Sequence, residues 1–487
     1  MPKNPELRRN LWLEITRQRL IAMPLILGIV FFILFIGDSS SGKSLKATLM
    51  MSKIIFVVMV ICGIKKTASS VVSEVNQKTW DFQKLSSISP WQMTIGKFVG
   101  SSLYTWYGAI IALIVYTLSL YYSHLNVYTF HNSYLYPRYK DLTIGAINIK
   151  VAILLLSALL AQTLAMFFVM SDIANSKDNT KTINEYKYIA ISALIFILFV
   201  FFEQAFKGGY VPRISWYGMR MESSVFCALS LFVFLFWSVF GTYRLIKKEF
   251  QYKVTPWVWC SFVIFLVIYL AGVMYKSPLL YILPYSLVML IVITYLTLFM
   301  QSKSPIIYKK MLLRFKQKKY REFFEIMPLW MVTYIMAVLL AVFITILLFL
   351  PINLDIPYTF RGYPMPETTN WIFYIALSFV PILIMSRDIL IVHFFQLSSN
   401  SKRGDFTSII YLAILYMLVP AIFYKLKLYI IAYSFIPLTL VLNYERGLKL
   451  SGDPHALWSV IIISASIQLF VMYVIFMKRW KEINKLK

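Results

Sequence analysis

TLMMSKIIFVVMVICGIKKTASSVV, residues 48–72, runs straight into SEVNQKTWDFQKLSSISPWQMTIGKFVGS, residues 73–101. The first piece is apolar over about the ~20 residues a helix needs to cross a bilayer. The second is polar, mixed in charge and rich in helix formers, and a further apolar run, 98–122, follows it. Span, interfacial segment, span: that order decides the fold class. On a helix over 74–89, Val75, Thr79, Phe82 and Leu85 recur at spacings of three and four, giving one apolar stripe. Glu74, Lys78, Asp81 and Lys84 flank it. Trp80 lies outside the stripe beside Asp81, which places a large aromatic where the helix would meet a partner. Ser86, Ser87, Ser89 and Pro90 break the helix, and Pro90 suits the first turn of the next one.

The composition agrees. Of 487 residues, 59% are hydrophobic and 14% charged, with a mean hydropathy of +0.70. A soluble chain could not bury so much apolar side chain. Apolar runs occur at 21–36, 48–72, 98–122, 151–170, 188–206, 223–246, 257–275, 279–300, 329–350, 371–392, 409–424, 428–442 and 458–477. The shortest, 428–442, is bounded by Lys425 and Lys427 and is not expected to cross. The prediction is an all-α polytopic helical membrane protein with about 12 transmembrane helices and interfacial amphipathic helices. One of the latter is expected over 5–20, where Leu7, Leu11, Trp12 and Ile15 share a face and Arg8, Arg9, Arg17 and Arg19 flank it.

A net charge of +27 would point to nucleic acid in a soluble chain. Here the basic residues sit in short connections, so orientation and anionic headgroups account for them, and no nucleic-acid partner is expected. With the N-terminus cytoplasmic, the basic connections near 65–97, 244–253 and 303–321 all fall inside. The basic C-terminus should then also be inside, which requires an even number of spans. The expected location is the cell (cytoplasmic or inner) membrane, with the first span kept as an anchor. Cys62, Cys227 and Cys260 show no ligand spacing, and His124, His131, His393 and His455 are dispersed. Neither a disulfide framework nor a metal or cofactor site is expected.

Residues 37–44, GDSSSGKS, satisfy the phosphate-loop pattern, but that loop needs a buried strand before it and a nucleotide domain around it. Between two spans it reads as a flexible turn. Glu203, near the end of an apolar run, reads as an interface residue beside Gln204 and Lys207. Arg387 and Asp388, near the inner end of the run 371–392, read as a local ion pair or a partner contact. The polar residues leave two other classes open. An ion-coupled secondary transporter would want broken helices with mid-bilayer carboxylates; Pro381 and Pro437 interrupt runs without one. A membrane-embedded transferase would want a local acid/base pair, and Asp38, Asp141, Asp355 and Glu367 lie far apart.

Two short matches hint at an internal repeat. Met23-Pro24-Leu25 after a basic amphipathic stretch returns as Met327-Pro328-Leu329, and Phe82-x-x-Leu85-Ser86-Ser87-x-Ser89 returns as Phe394-x-x-Leu397-Ser398-Ser399-x-Ser401, at offsets of 304 and 312.

The order Glu74, Lys78-Thr79-Trp80-Asp81, Leu85, Ser87-Ile88-Ser89 and Gly96-Lys97 resembles the segment after the second span of bacterial ABC-type exporter permeases, the type-2 membrane family. Lys78 stands where that family commonly has Gly, and Ser87 where it commonly has Pro. The resemblance implies a coupling helix at 74–89, with Glu74, Thr79, Trp80, Asp81, Leu85 and Ser89 contacting a cytoplasmic ATP-binding-cassette ATPase subunit. It further implies a permease without an ATPase of its own, hence no catalytic residues, exporting an unidentified substrate. Three regions follow: a permease-like six-span unit at 1–250, two additional spans at 251–300, and a degenerate second permease unit at 301–487. In the last, Phe394, Leu397 and Ser398 would form a second coupling segment.

Overall fold

The computed structural model describes residues 4–485, apart from 37–42, 130–143, 176–183, 206–212, 275–278, 302–304, 350–358, 361–362, 365–369, 398–403, 429–430, 433–434 and 436–453. The chain is an all-α polytopic membrane protein. Among the described residues, ten helices are long and apolar enough to cross a membrane, and two shorter apolar helices cover 186–201 and 257–273. They coincide with every apolar run above except 428–442, which lies largely outside the described residues. Most of the phosphate-loop-like stretch also lies outside them.

The chain divides into two units: residues 1–214 with 219–254, and residues 215–218 with 255–487. The first unit begins with α1 (Pro5–Glu14) and α2 (Arg17–Ile36), then a 34-residue helix, α3 (Lys43–Asn76). Two short helices follow, α4 (Trp80–Lys84) and α5 (Pro90–Gly100), and then α6 (Leu103–Thr129), α7 (Ile144–Asn175) and α8 (Tyr186–Ala205). A two-stranded hairpin, β1 (Arg213–Trp216) and β2 (Met219–Glu222), follows; its tip, 215–218, counts with the second unit and turns through Tyr217 and Gly218 at φ 47° and 83°. Two successive positive φ values match the twist of the strands, which is why Gly serves here. Helix α9 (Ser223–Glu249) closes the unit.

The core of this unit is built on small residues. Ala109, Ala112, Ala158, Ala161 and Ala165 are buried between Phe56, Ile64 and Phe196. Small side chains let α3, α6 and α7 approach closely, the usual solution where lipid gives no hydrophobic drive between helices.

In the second unit, α10 (Trp257–Val273) and α11 (Leu279–Met300) precede two amphipathic helices, α12 (Pro305–Lys316) and α13 (Tyr320–Ile326). Next come α14 (Leu329–Phe349), the paired two-residue strands β3 (Thr359–Phe360) and β4 (Tyr363–Pro364), and α15 (Asn370–Gln396). Helix α16 (Gly404–Ala413) passes through a π-helical turn, Ile414–Leu418, into α17 (Val419–Lys425), and the 32-residue α18 (Pro454–Lys485) ends the unit. Within this unit Trp216 Nε1 and Tyr217 Oη donate to the carbonyls of Tyr269 and Ile268, at 3.2 and 2.8 Å.

The two units share an internal plan. In the first, α3 packs on α6 and α7, and α7 packs on α8 and α9; in the second, α11 packs on α14 and α15, and α15 packs on α16 and α18. The starts of α6 and α14, Leu103 and Leu329, are 226 residues apart, as are those of α7 and α15, Ile144 and Asn370. The short sequence matches at offsets of 304 and 312 do not fall on this plan. Met23-Pro24-Leu25 lies inside α2, whereas Met327-Pro328 separates α13 from α14; Phe82 sits in a five-residue helix, whereas Phe394 belongs to the end of a 27-residue one.

Candidate functional site: the segment after the second span and two buried polar nodes

The expected helix over 74–89 is not continuous. Helix α3 stops at Asn76, and the chain reverses through Lys78 at φ 60°. Lys78 N–H donates to Val75 O at 3.1 Å and Thr79 N–H to Glu74 O at 2.9 Å, the paired bonds of a Schellman end. That left-handed position favours glycine, which gives a physical reason for the Gly that the resemblance places there. Thr79 then precedes α4, its hydroxyl donating to Glu74 O at 3.2 Å. Ser89 caps α5 in a capping box with Gln92.

The break turns the side chains around. Trp80, expected at a partner surface, is only 3% exposed; it packs on Phe250 among Ala68, Val71, Val72, Met93 and Met166. Phe82 and Leu85 of the apolar stripe, Leu85 among the expected partner contacts, are 75% and 85% exposed. A five-residue helix rotated by the turn at Lys78 cannot keep the register of α3. Asp81 remains exposed and pairs with Lys84, which also reaches Glu249 at 3.3 Å.

Glu74 is drawn inward as well. With Glu6, Arg9 and Lys97 it forms a quartet of two carboxylates and two cations. Arg9 Nη2 lies 2.8 Å from Glu6 Oε1 and 2.7 Å from Glu74 Oε1; Lys97 Nζ pairs with Glu74 Oε2 and lies 3.4 Å from Glu6 Oε1. Lys97 is wholly buried, with its ammonium 5.6 Å from the centre of the Trp80 ring. Burial opposes the charge of Arg9, but the Glu74 and Glu6 carboxylates more than offset it and raise its pKa above the ordinary guanidinium value. Two opposite pairs in one pocket compensate each other, so the cluster fastens three segments without leaving a buried charge alone.

Helix α1 completes the quartet. Its buried residues are Glu6 and Asn10, while Trp12 and Leu13 are exposed. The polar edge is what docks. Asn10 Nδ2 donates to Gly96 O at 3.2 Å and Asn4 Nδ2 to Gln92 O at 2.7 Å. A Cβ on Gly96 would stand 2.6 Å from Glu6 Cβ, and one on Gly100 2.7 Å from Asn10 Cβ. Only glycine allows this approach.

Deeper in the first unit, Gln162 of α7 forms a neutral node that the sequence reading missed. Its Nε2 donates to Thr67 Oγ1 at 2.7 Å, to Phe98 O at 3.2 Å and to Ser102 Oγ, while Trp106 Nε1 donates to its Oε1 at 2.7 Å. The two Nε2 hydrogens have three acceptors within reach and Oε1 accepts one bond, which ties α3, α5, α6 and α7 together.

The second unit places Asp388 226 residues after Gln162, on the helix that holds the matching place in the plan. The local ion pair expected of Arg387 and Asp388 is present, and it is buried: the two side chains are 2% and 0% exposed. Arg387 Nε donates to Asp388 Oδ1 at 2.9 Å, Tyr295 and Tyr416 hydroxyls donate to Oδ2, and Arg387 Nη1 donates to Gln468 Oε1. Tyr416 is carried by the π-helical turn, an irregularity that recurs at functional positions. The node links α11, α15, the π turn and α18.

Of the expected second coupling segment, Phe394 ends α15 and Leu397 lines an apolar cavity of about 260 Å³; Ser398 lies outside the described residues. Among the described residues no group of three or more His, Cys, Asp or Glu could hold a metal ion, and the three cysteines are free. Glu203 lies in α8, but its side chain is outside what is described. No family model, curated protein or solved structure matches this chain.

Proposed function

We propose that this chain is the membrane-spanning permease subunit of an ATP-binding-cassette exporter, driven by separate ATPase subunits docked from the cytoplasm. The observation that carries the reading is the surface of α4: Phe82 and Leu85 stand outward beside Asp81 while Trp80 is locked inward. Two exposed apolar side chains on a rigid turn directly after the second long helix are a compact handle for a protein partner. Force applied there passes into α3 through Glu74 and into α5 through Lys97. In this reading the chain lies in the cytoplasmic membrane with both termini inside and hydrolyses no ATP itself.

Of the expected partner contacts, Trp80 is withdrawn from this surface, Asp81 and Leu85 stay on it, and Phe82 joins them. Phe82→Asp with Leu85→Asp is expected to lower capture of a co-expressed ATP-binding-cassette ATPase from the same genome by more than tenfold, at unchanged thermal unfolding in detergent. Trp80→Ala is expected to lower unfolding temperature first. Capture of the ATPase at the wild-type level by the double variant, or ATP hydrolysis by the isolated chain, would sink the proposal. A second reading, an ion-coupled transporter, draws on the buried Asp388 with its two tyrosine donors. Transport that collapses with a proton or sodium gradient at constant ATP would favour it.

A further inference from the structure

We infer that the second unit carries a binding site for an anionic phospholipid at α12 and the cavity beside it. The inference needs only a membrane around the chain and does not depend on the exporter reading. The cavity of about 260 Å³ is lined by Tyr308 of α12, Trp330 and Met331 at the start of α14, Leu390 near the end of α15, and Phe476 and Trp480 near the end of α18. Every one of these helices except α12 is a span, and each meets the cavity close to a terminus. An apolar, aromatic-walled space at the end of a span suits part of an acyl chain.

Cations crowd the same helix segments. Lys309 and Lys310 follow Tyr308 directly, and Lys478 and Arg479 stand between Met477 and Trp480, both of which line the cavity. Arg314 pairs with Glu322 and Arg479 with Glu482, but among the described residues Lys309, Lys310, Lys316, Lys318, Lys319 and Lys478 enter no ion pair. Helix α12 also exposes Leu312, Leu313 and Phe315. A short helix with bare lysines and bare apolar side chains, set between two span ends, has the chemistry of a helix lying among anionic headgroups. The corresponding segment of the first unit does not: between α3 and α5 it holds only Lys78, Asp81 and Lys84 as charges.

Inside the cavity wall, Tyr308 Oη and His393 Nε2 are 2.8 Å apart, and His393 Nδ1 lies 2.7 Å from Ile389 O. The carbonyl requires a proton on Nδ1, so the neutral ring accepts the tyrosine hydroxyl at Nε2. That bond keeps both polar groups occupied and leaves the lining apolar.

The test uses the full-length protein, purified in detergent, delipidated and titrated with phosphatidylglycerol or phosphatidylcholine of the same acyl chains. Bound lipid is counted by native mass spectrometry. Phosphatidylglycerol is expected to bind at least tenfold more tightly, and added salt should weaken it selectively. Lys309→Gln with Lys310→Gln should lower phosphatidylglycerol affinity by roughly fivefold for each lysine removed and leave phosphatidylcholine unchanged. Met331→Trp, which fills the cavity, should weaken both lipids. Inorganic phosphate should fail to displace the lipid; displacement would mean a plain anion site and overturn the proposal. Equal binding of the two lipids by the wild type, or no salt dependence, would also overturn it, and neither measurement relies on a variant that must fold. So would lysine variants that keep lipid binding while losing a co-purifying protein subunit.

Discussion

The fourth spanning helix of the first unit and its counterpart in the second solve one packing problem with different chemistry. Gln162 and Asp388 stand 226 residues apart, both buried, and both bonded to the helix that precedes them in the plan: Gln162 to Thr67 of α3, Asp388 to Tyr295 of α11. The first node is an amide whose donors and acceptor are all matched by neutral groups. The second is an ion pair that needs two tyrosines and a glutamine around it. A neutral node can be satisfied locally and left rigid. A charged node inside a span is costly unless every partner stays in place, so it makes the packing of four segments conditional on one another. The difference teaches that the second unit has concentrated its interior electrostatics at one point, while the first has moved its charges to the quartet at the end of α3.

Breaking each node separates these cases. Asp388→Ala leaves Arg387 buried and unpaired, which is expected to cost ~3–5 kcal/mol. Gln162→Ala orphans Trp106 Nε1 and removes a few neutral bonds, for ~1–3 kcal/mol. The joint change Arg387→Leu with Asp388→Leu, which removes both charges, should be less harmful than Asp388→Ala alone. Denaturant unfolding of the four proteins in one detergent measures all three expectations. Equal losses for Asp388→Ala and Gln162→Ala would mean that charge is not what distinguishes the units.

The next effect in size concerns the end of the first unit that has no match in the second. Helix α1 lies on α5 through Gly96 and Gly100, whereas α12 and α13 have no such clasp among the described residues. Gly96→Ala forces a Cβ to within 2.6 Å of Glu6, and an overpacked contact of this kind costs ~1–3 kcal/mol. Because α1 is held to the unit mainly by α5, the expected result is its release: faster tryptic cleavage at Arg8 and Arg9, with cleavage after Lys316 to Lys319 unchanged. Uniform acceleration at both places would show that the clasp is not local to the first unit.

Much of this was legible in the chain, and the rest was hidden for identifiable reasons. Apolar runs of about 20 residues read directly as spans, because length and hydropathy are what a bilayer selects. Arg387 beside Asp388 read as a pair because two charges in an apolar run have few other options. Gln162, a single amide among Leu and Ala, gave no signal, since its partners Thr67, Ser102 and Trp106 are far away in sequence. The polar docking edge of α1, Glu6 and Asn10, gives no signal either, because amphipathic reasoning follows the apolar side chains and the partners Gly96 and Gly100 are far away in sequence. The internal plan resides in helix order and spacing at 226, and the shared motifs at offsets of 304 and 312 do not mark it. Trp80 is expected outward because nothing at Gln77 or Lys78 announces a turn. Only the left-handed residue itself decides that break, and here it is a lysine.

That lysine supplies the smallest and most exact comparison. Both units turn out of a helix on a lysine in the left-handed region after their second span: Lys78 at φ 60° and Lys318 at φ 57°. Each sits in the same paired arrangement, Lys318 N–H bonding Phe315 O and Lys319 N–H bonding Arg314 O, both at 3.0 Å. An L-residue with a Cβ pays about 1–2 kcal/mol there that glycine avoids. Glycine in turn loses more freedom on folding, by roughly 0.5–1 kcal/mol. The two terms oppose, and the first is the larger, so Lys78→Gly and Lys318→Gly should each raise stability by up to ~1 kcal/mol, in equal measure. Their second effects should differ. Lys78→Gly leaves Phe82 and Leu85 presented as before and should not alter a protein contact made there. Lys318→Gly removes one of the bare cations of the basic segment and should weaken phosphatidylglycerol binding. Destabilisation by either glycine would mean that the lysine stem packs favourably enough to offset its backbone, and the turn would then be held by side chain and not by conformation.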